Sequence, residues 1–249
     1  ASLPRAAVGT VVVTGAAFPR GLVTLLKDGQ VAVTAVAEGD GSFTLRLANV
    51  PPATYGLMLH GTDTDGRRSD AVAVPVTIVA QSTVSVSGIV LPPTLGVDKL
   101  EVRQGEPLTI AGQSAPGATV AIIGTGPAAE EFFVTLPVAA DGRYRYDLDS
   151  RRLAQGEYLV RSRVTVDGVS SPFNRGERFT VGQRTVVTPP ERPCQIRADF
   201  NQDCRVNIID FSILVYWFNR PNPPAVVELT GDGRVNLTDF SVLIYHWTG

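Results

Sequence analysis

Along the first 190 residues apolar and polar positions alternate in short runs. Examples are GTVVVTG (9–15), GLVTLL (21–26), QVAVTAVA (30–37), SFTLRL (42–47), YGLMLHG (55–61) and STVSVSGIVL (82–91). A period of two over such lengths predicts half-buried β-strands. Turn dipeptides separate the runs: Asp28-Gly29, Asp40-Gly41 and Asp65-Gly66. Gly in each supplies the positive φ that tight turns need. From Cys194 onward the spacing changes to a helical one, and TVVTPPERPC, with three prolines, predicts a stiff connector before that change.

The β region is duplicated. VVVTGAAFPRGLVTLL (11–26) aligns with LTIAGQSAPGATVAII (108–123), so Gly15, Pro19 and Val23 correspond to Gly112, Pro116 and Val120. Further on, Asp40-Gly41 matches Asp141-Gly142, Tyr55 matches Tyr158, and Asp65-Gly66 and Ser69 match Asp167-Gly168 and Ser171. A unit of about 100 residues is the size of an immunoglobulin-like sandwich and too long for a solenoid repeat. The order of turns and apolar positions resembles the Ig-like repeats of bacterial surface proteins and adhesins. The expected organisation is therefore mainly β: one Ig-like sandwich over 1–95, a second over 96–183, a Pro-rich linker over 184–195, and a small helical domain over 196–249. LPPTLG (91–96) is the expected joint between the sandwiches.

The helical region is duplicated too. DFNQDCRVNIIDFSILVYWF (199–218) and ELTGDGRVNLTDFSVLIYHW (228–247) align without gaps. Oxygen-bearing side chains at alternate positions, closed by an acid that opens an apolar helix, fit a 12-residue calcium loop. Such a loop offers ligands at positions 1, 3, 5, 7, 9 and 12. The first loop supplies Asp199, Asn201, Asp203, the Arg205 carbonyl, Asn207 and Asp210. The second supplies Glu228, Thr230, Asp232, the Arg234 carbonyl, Asn236 and Asp239. Val206 and Val235, at position 8, are suited to pairing the loops. Phe211, Leu214, Val215 and Phe218 are spaced for one helix face, as are Phe240, Leu243, Ile244 and Trp247. The expectation is two Ca²⁺ sites of structural type.

Composition narrows the classes. The 249 residues carry a formal net charge of −2 without a basic cluster, which argues against nucleic acid. No apolar run reaches the length of a membrane span. The chain begins at Ala1, as a processed exported protein or a fragment would. Cys194 and Cys204 are the only cysteines; their spacing fits no zinc or redox motif, and a disulfide between them is expected in an exported chain. His60 and His246 have no evident catalytic partners. Glu130 and Glu131 would point to opposite faces of a strand. GTDTDGRRSD (61–70) is expected to be a hairpin turn. No catalytic constellation emerges, and a non-enzymatic protein is expected.

The paired loops, each with a closing Asp and a following helix, resemble type I dockerin domains across about 196–249. The first loop follows D-x-N-x-D-x-x-x-N-x-x-D except for Cys204 at the usual Gly position. The second keeps Gly233 there but departs with Glu228 and Thr230. The resemblance implies calcium and non-covalent docking on a cohesin-like or Ig-like module, through the residues just before each closing Asp: Ile208 and Ile209, and Leu237 and Thr238. It points to an extracellular or cell-surface structural protein. One alternative is head-to-tail self-assembly into a filament or surface layer. A second is an accessory role in a polysaccharide-degrading complex, against which stands the lack of Trp in the first 180 residues.

Overall fold

The structure, a computed structural model, describes residues 8–188, 197–200, 206–221, 223–224 and 226–248. The chain divides into two compact units, 1–188 and 189–249. Among the described residues the first carries strands and two short 3-10 turns, and the second two α-helices and their loops.

The first repeat has seven strands: β1 Gly9–Ala16, β2 Leu22–Lys27, β3 Gln30–Val36, β4 Ser42–Val50, β5 Ala53–Thr62, β6 Val72–Ile78 and β7 Thr83–Val90. They form two sheets, ordered β4-β1-β7 and β3-β2-β5-β6. Alternation decides which side chains face inward. In β1, Val11 and Val13 are buried while Thr10 and Val12 are half-exposed. Antiparallel register sets Val13 opposite Leu45 and Leu25 opposite Leu59, so the inner faces close over one core that also holds Val23, Phe43, Leu57 and Val76. The Asp28-Gly29 hairpin has φ of 54° and 76°, the two positive values that a type I′ turn requires.

The second repeat comprises β8 Gly96–Val97, β9 Lys99–Arg103, β10 Pro107–Gln113, β11 Thr119–Thr125, β12 Glu131–Pro137, β13 Arg143–Asp149, β14 Gly156–Val166, β15 Val169–Ser170, β16 Glu177–Gly182 and β17 Val186–Val187. One sheet runs β13-β10-β8 and the other β12-β11-β14-β16-β9-β17, with β15 on β14. Tyr158 stacks on Phe179 at 5.3 Å inside its core. Residues 184–188 do not run free as the start of a linker. Val186 and Val187 pair with Glu101 and Lys99, and the Thr188 N–H donates to the Asp98 carbonyl.

The matched tyrosines do the same job in both repeats. The Tyr55 hydroxyl donates to the Pro51 carbonyl four residues back, and that of Tyr158 lies 3.1 Å from the Ala154 carbonyl. This is the tyrosine corner of Ig-like sandwiches. The Tyr158 hydroxyl also donates to Glu130 at 2.6 Å, and Glu130 accepts from the Ala154 N–H. Those two bonds, the tyrosine's first, hold the Glu130 carboxyl below its usual range. Glu130 is thus a brace on the fold.

In the second unit the helices are α1 Ile208–Trp217 and α2 Leu237–Tyr245. They share a core of Val206, Leu214, Val227, Leu229, Val235 and Leu243, with Phe211, Ile213, Trp217, Phe240 and Val242 against it. The Phe211 and Phe240 rings meet edge to face at 5.3 Å. The expected buried stripes are rotated. Leu214 and Leu243 are fully buried, but Val215, Phe218, Ile244 and Trp247 are exposed, and Ile213, Trp217 and Val242 take the inner places. The closing acids set this rotation. Asp210 and Asp239 are fully buried against their loops. On a helix the residues that share their face are those three, four and seven positions on.

Candidate metal centre

Each loop ends in a capping box. Asn207 is the N-cap of α1, its side chain accepting from the Ile209 N–H; Asn236 is the N-cap of α2, accepting from Thr238. The third helical residue of each is the closing acid, which reaches back to the cap's own N–H: Asn207 N to Asp210 Oδ2 at 3.0 Å, Asn236 N to Asp239 Oδ2 at 2.8 Å. The other oxygen of each acid accepts from loop position 2, Phe200 N at 2.7 Å and Leu229 N at 2.8 Å. One carboxylate thus ties both ends of its loop to the first turn of the helix, in both repeats alike.

The valines at position 8 connect the halves in a manner the sequence did not show. Val206 exchanges bonds with Thr248, beyond α2, and the Val235 carbonyl accepts from Asn219, beyond α1. Each loop is therefore stitched to the segment after the opposite helix.

Loop 2 is described throughout. Glu228 Oε1 accepts from the Gly231 N–H at 2.6 Å, the Thr230 N–H at 2.9 Å, the Thr230 hydroxyl at 3.0 Å and the Asp232 N–H at 3.2 Å. Partial desolvation opposes its ionisation, but the Thr230, Gly231 and Asp232 donors outweigh that, and its pKa lies below the ordinary glutamate value. Asp232 accepts from the Arg234 N–H and from the Asn236 side chain. In loop 1 the described candidates are Asp199, which is buried, Asn207 and Asp210. Asn201, Asp203 and Arg205 lie outside the described residues, as do Cys194 and Cys204 and hence their expected disulfide.

Among the described residues no three His, Cys, Asp or Glu side chains converge as a metal-holding group. In loop 2 the acids are each turned onto N–H groups of their own loop, which spaces like charges apart. The donor chemistry nevertheless suits a hard divalent cation: every candidate is oxygen, and the buried Asp239 has its oxygens aimed into the loop by the bonds from Leu229 and Asn236. A cation there would balance the negative charge of the loop's carboxylates.

The four residues before the closing acids, Ile208, Ile209, Leu237 and Thr238, are all exposed at the helix starts. The structure adds four, of which Val215 and Ile244 stood on the stripes that the sequence predicts to be buried. Val215, Tyr216, Ile244 and Tyr245 are exposed, Tyr245 to 85 %. Each lies seven positions after one of the first four, two turns along the same face, which is the signal that identifies them. Phe211, Val215, Tyr216, Phe218, Arg220, Leu237 and Phe240 line an apolar groove of about 470 Å³, with the Arg220 guanidinium 3.9 Å above the Tyr216 ring.

A duplicated loop–helix unit with buried closing acids and two matching exposed helix faces is a docking-domain architecture. Residues 197–247 match the family model of the Dockerin type I domain, and the second unit is such a domain. Type I dockerins are in general calcium-binding and bind cohesin partners. No curated protein matches the chain. Among solved structures, the chain is similar to a DUF3823 family protein from Bacteroides ovatus (14 % identity, 69 % of this chain and 100 % of that one, TM-score 0.29). It is also similar to fibronectin(III)-like modules of Clostridium thermocellum CbhA (14 %, 72 % and 92 %, TM-score 0.26). A tetra-tandem repeat in the extending region of a large adhesion protein matches at 14 % identity, 70 % of this chain and 50 % of that one, with TM-score 0.31. The dockerin unit is preceded by a β-rich region.

Proposed function

We propose that this is a non-catalytic extracellular assembly protein whose dockerin domain, loaded with calcium in both loops, docks non-covalently on a cohesin-like module. The observation that carries the reading is the pairing of each closing acid with an exposed apolar face. Asp210 and Asp239 fix where α1 and α2 begin, and so where Ile208, Ile209, Leu237 and Thr238 stand. The residues that would hold the cations are the twelve loop ligands named above, six per loop. A surface with so many exposed large apolar side chains on a unit of this size favours a protein partner. Among the described residues no helix is long and apolar enough to cross a membrane, and attachment through docking needs none.

The test is calorimetric titration of the full chain with a type I cohesin, with calcium and with EGTA. Tight binding in calcium and none in EGTA is expected. Ile208→Asp with Ile209→Asp should weaken binding at least a hundredfold while leaving the thermal melt unchanged. Undiminished binding by that variant would show that the docking face lies elsewhere. Ultracentrifugation of the chain alone addresses head-to-tail assembly: a monomer in both conditions removes it, and calcium-dependent polymers would replace the cohesin reading.

A further inference from the structure

The segment GTDTDGRRSD forms a turn, with Asp63 N–H donating to the Arg67 carbonyl, but its extra acids do more than turn the chain. Asp63 is buried, and its Oδ2 accepts from the Thr94 hydroxyl at 2.7 Å. Thr64 shares bonds with the side chain of Gln113, a residue of β10 that is 1 % exposed. Asp65 takes a two-pronged ion pair from Arg143 at 2.9 and 2.5 Å, and that bond, with Gln113 and Arg67 nearby, holds its carboxyl below the ordinary range. Asp70 accepts from the Arg175 N–H. Of these partners Thr94, Gln113, Arg143 and Arg175 lie in the second repeat or the joint. The corresponding stretch of the second repeat, TVDGVSSP (165–172), keeps Asp167 at the place of Asp65 but has Thr165 and Pro172 where Asp63 and Asp70 stand.

The contact beneath that network has a symmetry. A Cβ on Gly41 would lie 2.9 Å from Cδ of Pro116, and a Cβ on Gly142 would lie 2.4 Å from Cδ of Pro19. Gly41 and Gly142 are equivalent in the two repeats, as are Pro19 and Pro116. The proline of each repeat is seated on the glycine of the other. The joint follows the same rule. Leu91 N–H donates to the Ala16 carbonyl and Thr94 N–H to that of Gln113, again equivalent positions, both at 3.0 Å. The strand that leads into it, β7, runs parallel to β1, and the strand that leads out of it, β8, runs antiparallel to β10. One chain crossing a twofold axis meets the two equivalent strands in opposite senses. Leu91 to Leu95 are buried without a break, Leu91 in the first core, Val90 and Leu95 in the second.

We infer that the two sandwiches form a closed, quasi-twofold pair: a self-complementary face of each repeat has its sister repeat as partner, and the pair moves as one rigid body. A face that pairs with its own equivalent closes on itself and does not propagate. Contacts between chains therefore use other surfaces, and LPPTLG is a buried seam instead of a hinge. The inference does not depend on the docking role of the second unit.

Residual dipolar couplings of the full chain test it. Amides of 8–91 and 96–188 should fit one common alignment tensor. Thr94→Val with Gln113→Ala and Arg143→Glu removes the cross-seam side-chain bonds of Asp63, Thr64 and Asp65 without touching the turn of the first repeat. It should require two tensors while both sandwiches keep dispersed amide spectra. Arg143→Glu alone, at an exposed position, is the milder variant should the triple one fail to fold; it should lower the agreement with a common tensor. Two tensors in the unaltered chain would overturn the inference. A triple variant, or a single one in its stead, that still followed one tensor as well as the parent does would overturn the assignment of the seam to these residues.

Discussion

Each sandwich carries its own core, whereas the two loop–helix repeats share one. In the sandwiches Val13, Leu25 and Leu59 close over one interior and Tyr158, Phe179 and Ile122 over another. In the second unit Leu214 and Leu243 enter the same cluster from the two halves. The difference shows in the sequence. The sandwich repeats tolerate insertions between matched positions, the spacing drifting from Gly15 and Gly112 to Tyr55 and Tyr158. The loop–helix repeats align without a gap. A repeat that buries its own apolar faces can lengthen a turn at the surface. One that depends on its twin for half a core, and on a fixed ligand spacing for its loop, cannot.

The sharpest way to break this comparison is to remove a closing acid. Asp239→Ala leaves the Leu229 and Asn236 N–H groups without their common acceptor, while the Thr230 N–H keeps Glu228. Each buried donor so orphaned costs about 1–3 kcal/mol, more in sum than a unit of this size holds in reserve. Asp210→Ala should do the same through Phe200 and Asn207. We expect either change to unfold both halves of the second unit together, with the sandwich melt unmoved in circular dichroism. If α1 stayed folded in Asp239→Ala, the shared core would not be the unit of stability.

A smaller effect separates the sandwiches by pH. His60 on β5 is buried, and among the described residues no hydrogen-bond partner reaches its Nδ1. Burial first, and the nearby Arg68 second, lower its pKa to about 4. The unfolded chain binds a proton near pH 6.5, so between those values the unfolded state holds more protons than the folded one. Stability contributed by the neutral imidazole is present above pH 7 and is lost as pH falls through 6.5 toward 4. The first repeat should lose on the order of 1–2 kcal/mol between pH 7 and pH 5. His60→Leu should flatten that slope in denaturant titrations. An unchanged slope would place the sensitivity elsewhere.

Much of this was legible in the sequence, and the limits are physical. Period-two alternation marked the strands, and Asp28-Gly29 the hairpin, because both are local properties. The equivalence of Tyr55 and Tyr158 foretold a shared role. The loop spacing gave the buried Asp210 and Asp239. The helix faces were misjudged because an apolar spacing does not reveal which of two overlapping stripes faces inward. The buried acid decides, and a carboxylate is not expected to lead a core face. Glu130 precedes β12 instead of lying in a strand beside Glu131, and its bracing role was not legible because its partner, Tyr158, lies on a strand 28 residues away. The acids of GTDTDGRRSD passed as turn residues, since Arg143 and Gln113 come together with them only in the folded pair.

The finest comparison is between the two tyrosine corners. Tyr158 is fully buried, and its hydroxyl donates to Glu130 at 2.6 Å while lying 3.1 Å from the corner carbonyl of Ala154. Tyr55 is half-buried; its hydroxyl has the Pro51 carbonyl, and Lys27 sits 4.4 Å above its ring. Phe at either position keeps the ring and deletes one donor. At 158 a carboxylate loses its hydroxyl partner and keeps only the Ala154 N–H, so a cost of about 1–2 kcal/mol is expected. At 55 solvent can replace the lost bond, and the cost should stay near 0.5 kcal/mol. Urea titrations of Tyr158→Phe and Tyr55→Phe measure both. Equal costs would mean that the corner bond itself, common to both repeats, carries the stability and that the Glu130 brace in the second adds nothing.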